Sequence, residues 1–333
     1  MALSKTQRNE GTHYVNSTSR RTFVKTSVAA ASCGLVVSLL EVPKMDGNPL
    51  NLPIGLQLYT VGKEMDADPA GTLKAVAAIG YKQVELSPIG KTPAKDLKKI
   101  LDDNGLTNPS GHYLLSDLMS KLPEMMELAH LFGQEFMVVT IPWVADVSRF
   151  KPDPQGGEFA LFLAVIRGLT LDDWKWNAEQ FNKIGEQVKK AGLQLAYHNH
   201  NFEWRAYEGV VAYDEFLRLT DAGLLKLELD CGWAAVAGKD PVAYLTKYPE
   251  RYTLLHIKDF HKGFTPRTTL MEKDTPEPEP TELGRGVIDH ARILAAAKKA
   301  KIRAQFVEQE PPFNEMSALE AIKVNYEYLK NLK

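Results

Sequence analysis

The feature that most constrains this chain is a strict alternation of strand-like and helix-like segments from residue 54 to its end. Short apolar runs recur at Ile54–Tyr59, Gln83–Leu86, Leu106–His112, Glu135–Ile141, Leu193–His198, Leu225–Asp230, Tyr252–Lys258 and Arg303–Glu308. Between them, apolar residues recur every three or four positions, the mark of a one-sided helix. These segments are Pro69–Ile79, Pro93–Asn104, Leu118–Phe132, Asp172–Ala191, Tyr213–Leu219, Pro241–Tyr248, His290–Ala300 and, closing the chain, Met316–Leu332. The clearest is 172–191, where Trp174, Ala178, Phe181, Ile184 and Val188 share a face and Gly192 stops the helix. Trp174 and Trp176 are read as packing residues of that helix. Strict alternation implies parallel strands joined by crossover helices. Eight such units in about 280 residues match a (β/α)8 TIM barrel in count and length. A doubly wound open sheet is the rival. It loses because no Gly-x-Gly-x-x-Gly follows the first strand. No linker divides the chain, so 45–333 reads as a single barrel domain. A loop over 148–158 and an apolar stretch over 159–169 interrupt the alternation. An acidic, proline-rich segment over 272–282 interrupts the seventh connection and reads as a loop beside the barrel mouth.

Residues 1–44 read differently. Ser19-Arg20-Arg21-Thr22-Phe23-Val24-Lys25 precedes a weakly apolar run over 28–40. That run, about 13 residues, is too short for a bilayer span of roughly 20. Adjacent arginines followed by phenylalanine resemble a twin-arginine export signal. The expected location is periplasmic or extracellular, with no membrane association beyond export. The two cysteines, Cys33 and Cys231, provide no disulfide framework. Across the whole chain, 40 Lys and Arg against 42 Asp and Glu leave a net charge of −2, so there is no global basic field to hold nucleic acid.

In a barrel of this type the C-terminal ends of the strands line the active site. Here those ends carry Glu85, His112, His198-Asn199-His200 with Glu203 beyond, Asp230, His256 with Lys258 and Asp259, and Glu308 with Glu310. Carboxylates and imidazoles converging from different strands bind a divalent metal, do acid–base work, or both. Structural roles compete with these. Asp230 is also placed to cap a helix, Glu308 to pair with Lys258, His256 to be a hydrogen-bonded core histidine, and His200 to orient a ligand rather than act as one. Glu310 is expected at the rim.

Tyr197-His-Asn-His-Asn-Phe-Glu203 resembles the YHNHxFE signature of sugar phosphate isomerase/epimerase-like proteins, within the xylose isomerase-like barrel superfamily. Leu56–Val61, Gly80–Leu86, Glu228–Asp230, Leu255–Asp259, Gly284–Asp289 and Val307–Gln309 are similar to its other motifs and occur in order. The resemblance implies a metal set drawn from strands five to eight. Asp230, His256 and Glu308 match its last three members, while His198 stands where relatives place a glutamate. Glu203 is the alternative strand-five ligand. Two histidines with two carboxylates suit Mn, Fe or Zn better than Mg.

The resemblance thus implies an exported, metal-dependent sugar or keto-sugar isomerase or epimerase working through an enediolate. A lyase or hydratase on 3-keto-glycosides with the same metal site is the alternative. Glu203 and Glu308 would handle protons, with His112 and Lys258 completing the catalytic group. Glu85, His200 and Trp233 would bind substrate. An apurinic-endonuclease-like nuclease and a non-catalytic sugar-binding barrel are readings of other classes. The net charge and the export motif oppose the nuclease. The partner is a small-molecule sugar, and a homo-oligomer is left open. The export reading predicts that replacing Arg20 and Arg21 together by lysine retains the protein in the cytoplasm, as checked by cell fractionation; unchanged delivery would reject it.

Overall fold

The computed structural model describes residues 48–333, apart from 88–89, 152–156, 273–274 and 314. The expected export segment around Arg20 and Arg21, and Cys33, lie outside the described residues. Eight strands close into one barrel: β1 Ile54–Gln57, β2 Gln83–Leu86, β3 Thr107–Tyr113, β4 Phe136–Val139, β5 Gln194–His198, β6 Leu225–Asp230, β7 Tyr252–Ile257 and β8 Ala304–Val307. Every neighbouring pair is parallel, and β1 closes the ring by pairing with both β2 and β8.

Eight helices alternate with these strands: α1 Pro69–Ile79, α2 Ala94–Asp103, α3 Leu115–Phe132, α4 Leu171–Lys190, α5 Ala212–Leu219, α6 Pro241–Lys247, α7 His290–Ala297 and α8 Ala318–Asn331. Their starts are legible locally. Asp68 caps α1 through Gly71 N, with proline in its first turn. Thr170 with Asp173, and Ser317 with Glu320, form reciprocal capping boxes on α4 and α8.

Several segments depart from the expectation. The first strand ends at Gln57, not Tyr59, because Gln57 Oε1 accepts from Tyr59 N at 3.0 Å and starts the 3-10 turn Leu58–Val61. The apolar stretch over 159–169 belongs to an additional helix, Gly157–Gly168. Short helices Gly62–Ala67 and Cys231–Val236 are further insertions. The acidic, proline-rich segment ends in a small separate sheet, with Pro280–Thr281 antiparallel to Asp259–Phe260 just beyond β7.

The period-two alternation of strand side chains sorts each strand into an inner and an outer face. Outward residues such as Tyr197 pack with Phe181 and Phe216 of α4 and α5, at ring separations of 5.5 and 5.1 Å. Trp174 is fully buried in this layer, as a packing residue should be. Inward residues Phe136, Val138, Ala196, Leu254, Ala304 and Phe306 form a separate apolar floor. Gly55 is required there, since a Cβ on it would collide with the Phe306 ring. Two residues further along the same strands, the inner face turns polar: Ala196 is followed by His198, Leu254 by His256 and Phe306 by Glu308. The floor therefore sets the depth of the site above it. Phe306→Ala should cost about 3–5 kcal/mol by opening a cavity beneath His256, measurable by denaturant unfolding of the metal-free protein.

Candidate metal centre

The polar layer comprises Gln57, Glu85, Ser110, His112, His198, Glu228, Asp230, His256, Lys258, Glu308 and Glu310, contributed by β1–β3 and β5–β8 and the residues just beyond them. Register brings them level: Gln57 pairs with Glu85, Glu85 with Ser110, His198 with Glu228, and Asp230 with His256. Two groups of ligand-type side chains result, each with its ligand atoms within 4.8 Å of one another. The inner group is His112, His198, Glu228 and His256. The outer group, His198, Asp230, His256 and Glu308, coincides with the set expected from the sequence.

Below and between the rings lies a saturated carboxylate. Glu85 accepts from Gln57 Nε2 at 2.8 Å and from Ser110 Oγ, and its Oε2 lies 2.6 Å from His256 Nε2 and 2.9 Å from His112 Nε2. Glu228 Oε2 lies 3.0 Å from His198 Nδ1, 3.2 Å from His112 Nε2 and 3.3 Å from His256 Nε2. Toward the mouth, His256 Nδ1 meets Glu308 Oε2 at 3.0 Å and His198 Nε2 lies 3.9 Å from Asp230 Oδ2. Lys258, fully buried, places its ammonium 3.2 Å from Asp230, 3.0 Å from Glu308 and 2.6 Å from Glu310. It also sits 5.1 Å from the centre of the Trp233 ring.

Burial and charge divide the protons among these groups. Burial opposes charge on Glu85, but His112 and His256 hold its carboxyl well below the usual range. Burial likewise opposes charge on Glu308, and Lys258 and His256 overcome it in the same direction. Burial disfavours the cationic form of His112, yet Glu85 and Glu228 raise it to about 9. His256 is also raised despite its burial, by Glu228, Glu85 and Glu308. Burial, helped by Glu85, pushes Glu228 up to about 7. His198 is driven down by burial and by the neighbouring cations, and so presents a neutral imidazole, the form a metal requires.

Most of the sequence-derived residues meet here. Asp230 combines both roles considered for it: Oδ1 accepts from Trp233 N at 2.7 Å as a helix cap, while Oδ2 faces Lys258 and His198. Glu308 likewise pairs with Lys258 and faces His256. His200 lies at the edge, its ring 5.4 Å from Phe202, 5.9 Å from Trp233 and 5.1 Å from His198. Glu203 is a correction as the alternative strand-five ligand only: it belongs to neither ligand group, and its Oε1 lies 3.9 Å from His200 Nδ1. The chain turns through Phe202–Trp204 and tucks Glu203 behind the barrel wall, where it accepts from outward-facing Tyr197 Oη at 2.8 Å. Glu310 is a second correction. It is not a free rim residue but the nearest carboxylate to Lys258. Glu228, Gln57 and Ser110 were not singled out, because attention to strand ends passes over inward residues one layer deeper. The signal was present in Glu228-Leu-Asp230, whose i, i+2 spacing places both carboxylates inside.

The outer group fits a divalent cation. It offers two carboxylates and two imidazoles, and Asp230 Oδ2, buried and paired with the Lys258 ammonium at 3.2 Å, has no hydrogen-bond partner among the described residues. Because His256 carries a proton that a ligand must lose, metal uptake should release at least one proton near pH 7. Affinity should then rise with pH, by up to about tenfold per unit for each proton displaced. Calorimetry in two buffers of different ionisation enthalpy checks this, and identical heats in both would refute it.

The chain matches the xylose isomerase-like TIM barrel family over residues 73–331. It is 28% identical over 190 residues to inosose dehydratase of Clostridium perfringens, covering 57% of this chain and 63% of that protein, just under two thirds of its length. A sugar phosphate isomerase/epimerase from Parabacteroides distasonis superposes with a TM-score of 0.64 at 26% identity, over 84% of this chain and 96% of that one. A xylose isomerase-like TIM barrel protein from Mycobacterium smegmatis, solved in complex with magnesium, superposes with a TM-score of 0.59 at 16% identity, over 86% and 98%, and at that identity speaks for the fold alone. With an eight-stranded parallel barrel, the ordered motifs and a match over most of its length, the chain belongs to the xylose isomerase-like TIM barrel family.

Proposed function

We propose that this protein is a metal-dependent enzyme that removes the proton beside the carbonyl of a keto-sugar or keto-polyol and expels a β-hydroxyl as water. The observation that carries this reading is the division of protons in one buried cluster. Carboxylates held as anions adjoin imidazoles held as cations, so a base and an acid are available together. Water loss needs both: a base for the C–H and an acid for the departing hydroxyl. The inosose dehydratase relatives support the same outcome.

The outer group, His198, Asp230, His256 and Glu308, would hold the ion. A divalent cation there supplies Lewis acidity toward a carbonyl and its neighbouring hydroxyl. The proton is assigned to Glu310. Burial raises its carboxyl above the usual range, Lys258 holds its Oε1, and its Oε2 is buried without a hydrogen-bond partner among the described residues. A carboxylate raised in this way is a better base than one held down by adjacent cations. His112, held as an imidazolium with its side chain 10% exposed, donates to the leaving hydroxyl. Lys258 holds Glu310 and Glu308 in place, and Trp233 with His200 lines the edge.

A cleft of about 850 Å³ opens at the ends of β1, β2 and β8, bordered by Tyr59, Lys91 and Phe313. Pro311, next to Glu310 in sequence, lines this cleft, which makes it the candidate approach for substrate. The export motif supports action outside the cytoplasm, on a substrate without phosphate. Isomerisation or epimerisation is the second reading, favoured by the Parabacteroides distasonis likeness; it would return the proton to carbon with no loss of water.

Incubating candidate keto-sugars and inososes with the metal-loaded protein in deuterated water separates the two. Dehydration yields a product lighter by one water, whereas epimerisation yields a deuterated isomer. Glu310→Gln should keep its metal and slow proton removal by about 10²–10⁴, while Glu308→Gln should lose metal together with activity. Wild-type turnover by Glu310→Gln would move the base elsewhere, with Glu308 next.

A further inference from the structure

His198 and His256 are each held from both ends. His198 turns Nδ1 to Glu228 at 3.0 Å and Nε2 toward Asp230 at 3.9 Å. His256 turns Nε2 to Glu85 at 2.6 Å and to Glu228 at 3.3 Å, and Nδ1 to Glu308 at 3.0 Å. The inner and outer groups therefore share two rings but use opposite nitrogens of each. A neutral imidazole carries one N–H and one lone pair, so a ring cannot serve both groups as a ligand at once. One group must be the seat of the ion and the other must hold the ring protons.

We infer that Glu228 and Glu85 are positioning residues that fix opposite tautomers on the two histidines: Nδ1–H on His198 and Nε2–H on His256. His198 then offers Nε2, and His256 offers Nδ1, to the outer group. This rests on the metal reading above. Charge selects the outer group as the seat. The outer group offers a divalent ion two carboxylates, which also face the Lys258 ammonium, whereas the inner group brings one carboxylate to three imidazoles. Glu85 is already met by Gln57, Ser110 and His112, so its remaining contact with His256 Nε2 completes a fixed cradle. Asp230 Oδ2 and Glu228 Oε1 both lack a hydrogen-bond partner among the described residues. Gln57 extends the cradle, since Tyr59 N holds its Oε1 and thereby aims Nε2 at Glu85. A carboxylate behind a metal-bound histidine fixes the ring and strengthens its lone pair, and its removal typically weakens metal binding by about 10- to 100-fold.

The test uses zinc as a diamagnetic probe. In the zinc-loaded wild type, long-range ¹H–¹⁵N spectra of the imidazoles should show His198 protonated at Nδ1 and His256 at Nε2, with peaks assigned from His→Gln variants. Glu228→Gln should bind zinc about 10- to 100-fold more weakly and lose the single-tautomer signature of His198. Asp230→Asn should lose most of its zinc while both rings keep their inner hydrogen bonds. Reversed tautomers in the wild type would overturn the inference even if Glu228→Gln failed to fold. So would wild-type zinc affinity and an unchanged His198 pattern in a folded Glu228→Gln, or zinc loss there with retention in Asp230→Asn. A wild type that takes up no zinc or other divalent ion overturns the metal reading itself. Zinc binding with the wrong tautomers overturns only the assignment of Glu228 and Glu85.

Discussion

Four carboxylates, Glu85, Glu228, Asp230 and Glu308, lie inside a barrel with none more than 7% exposed. An isolated buried carboxylate is costly, and the interior tolerates it only when it is paired and hydrogen-bonded. His112, His256 and Lys258 supply the compensating positive charge. Gln57, Ser110 and Trp233 N supply further donors. The rest of the centre depends on this compensation. The imidazoles are pulled toward the cationic form because carboxylates surround them, and Lys258 is held in place because three carboxylates converge on its ammonium.

The parallel barrel makes such a cluster possible without a flexible loop. Each inward residue comes from a strand with both neighbours hydrogen-bonded, so its direction is set by backbone register rather than by side-chain packing. The apolar floor under the cluster then excludes water from below and raises the strength of every charge interaction above it. Precision of this kind is what a metal or proton-transfer site needs, because the groups arrive already oriented. The same rigidity explains why His198 and His256 can be gripped at both nitrogens.

The centre is also asymmetric along the barrel axis. On its inner side Glu85 is saturated with hydrogen bonds, while its outer side carries the Lys258 ammonium between Asp230 and Glu308. Tyr59 and Pro311, the residue after Glu310, border the open cleft. The inner carboxylates Glu85 and Glu228 meet the outer side through the two shared rings, His198 and His256.

The barrel was legible in the sequence because helix and strand periods are local properties: segments such as 69–79 and 172–191 carry their own caps and apolar faces. Asp230, His256 and Glu308 were legible because they end strands in ordered motifs. What the sequence alone did not reveal depends on depth and direction. Glu228 lies one layer below the strand end, so its importance rests on the register of β6 against β5 and β7. Glu203, adjacent in the motif to His198, was separated from it by a short turn that carries it behind the wall. Glu310 was drawn inward by the Lys258 ammonium. Residue types and their periods determined the barrel and the chemistry available to it. Tertiary structure decided which of those groups meet, since strand register and long-range charge pairing are settled only when the ring closes.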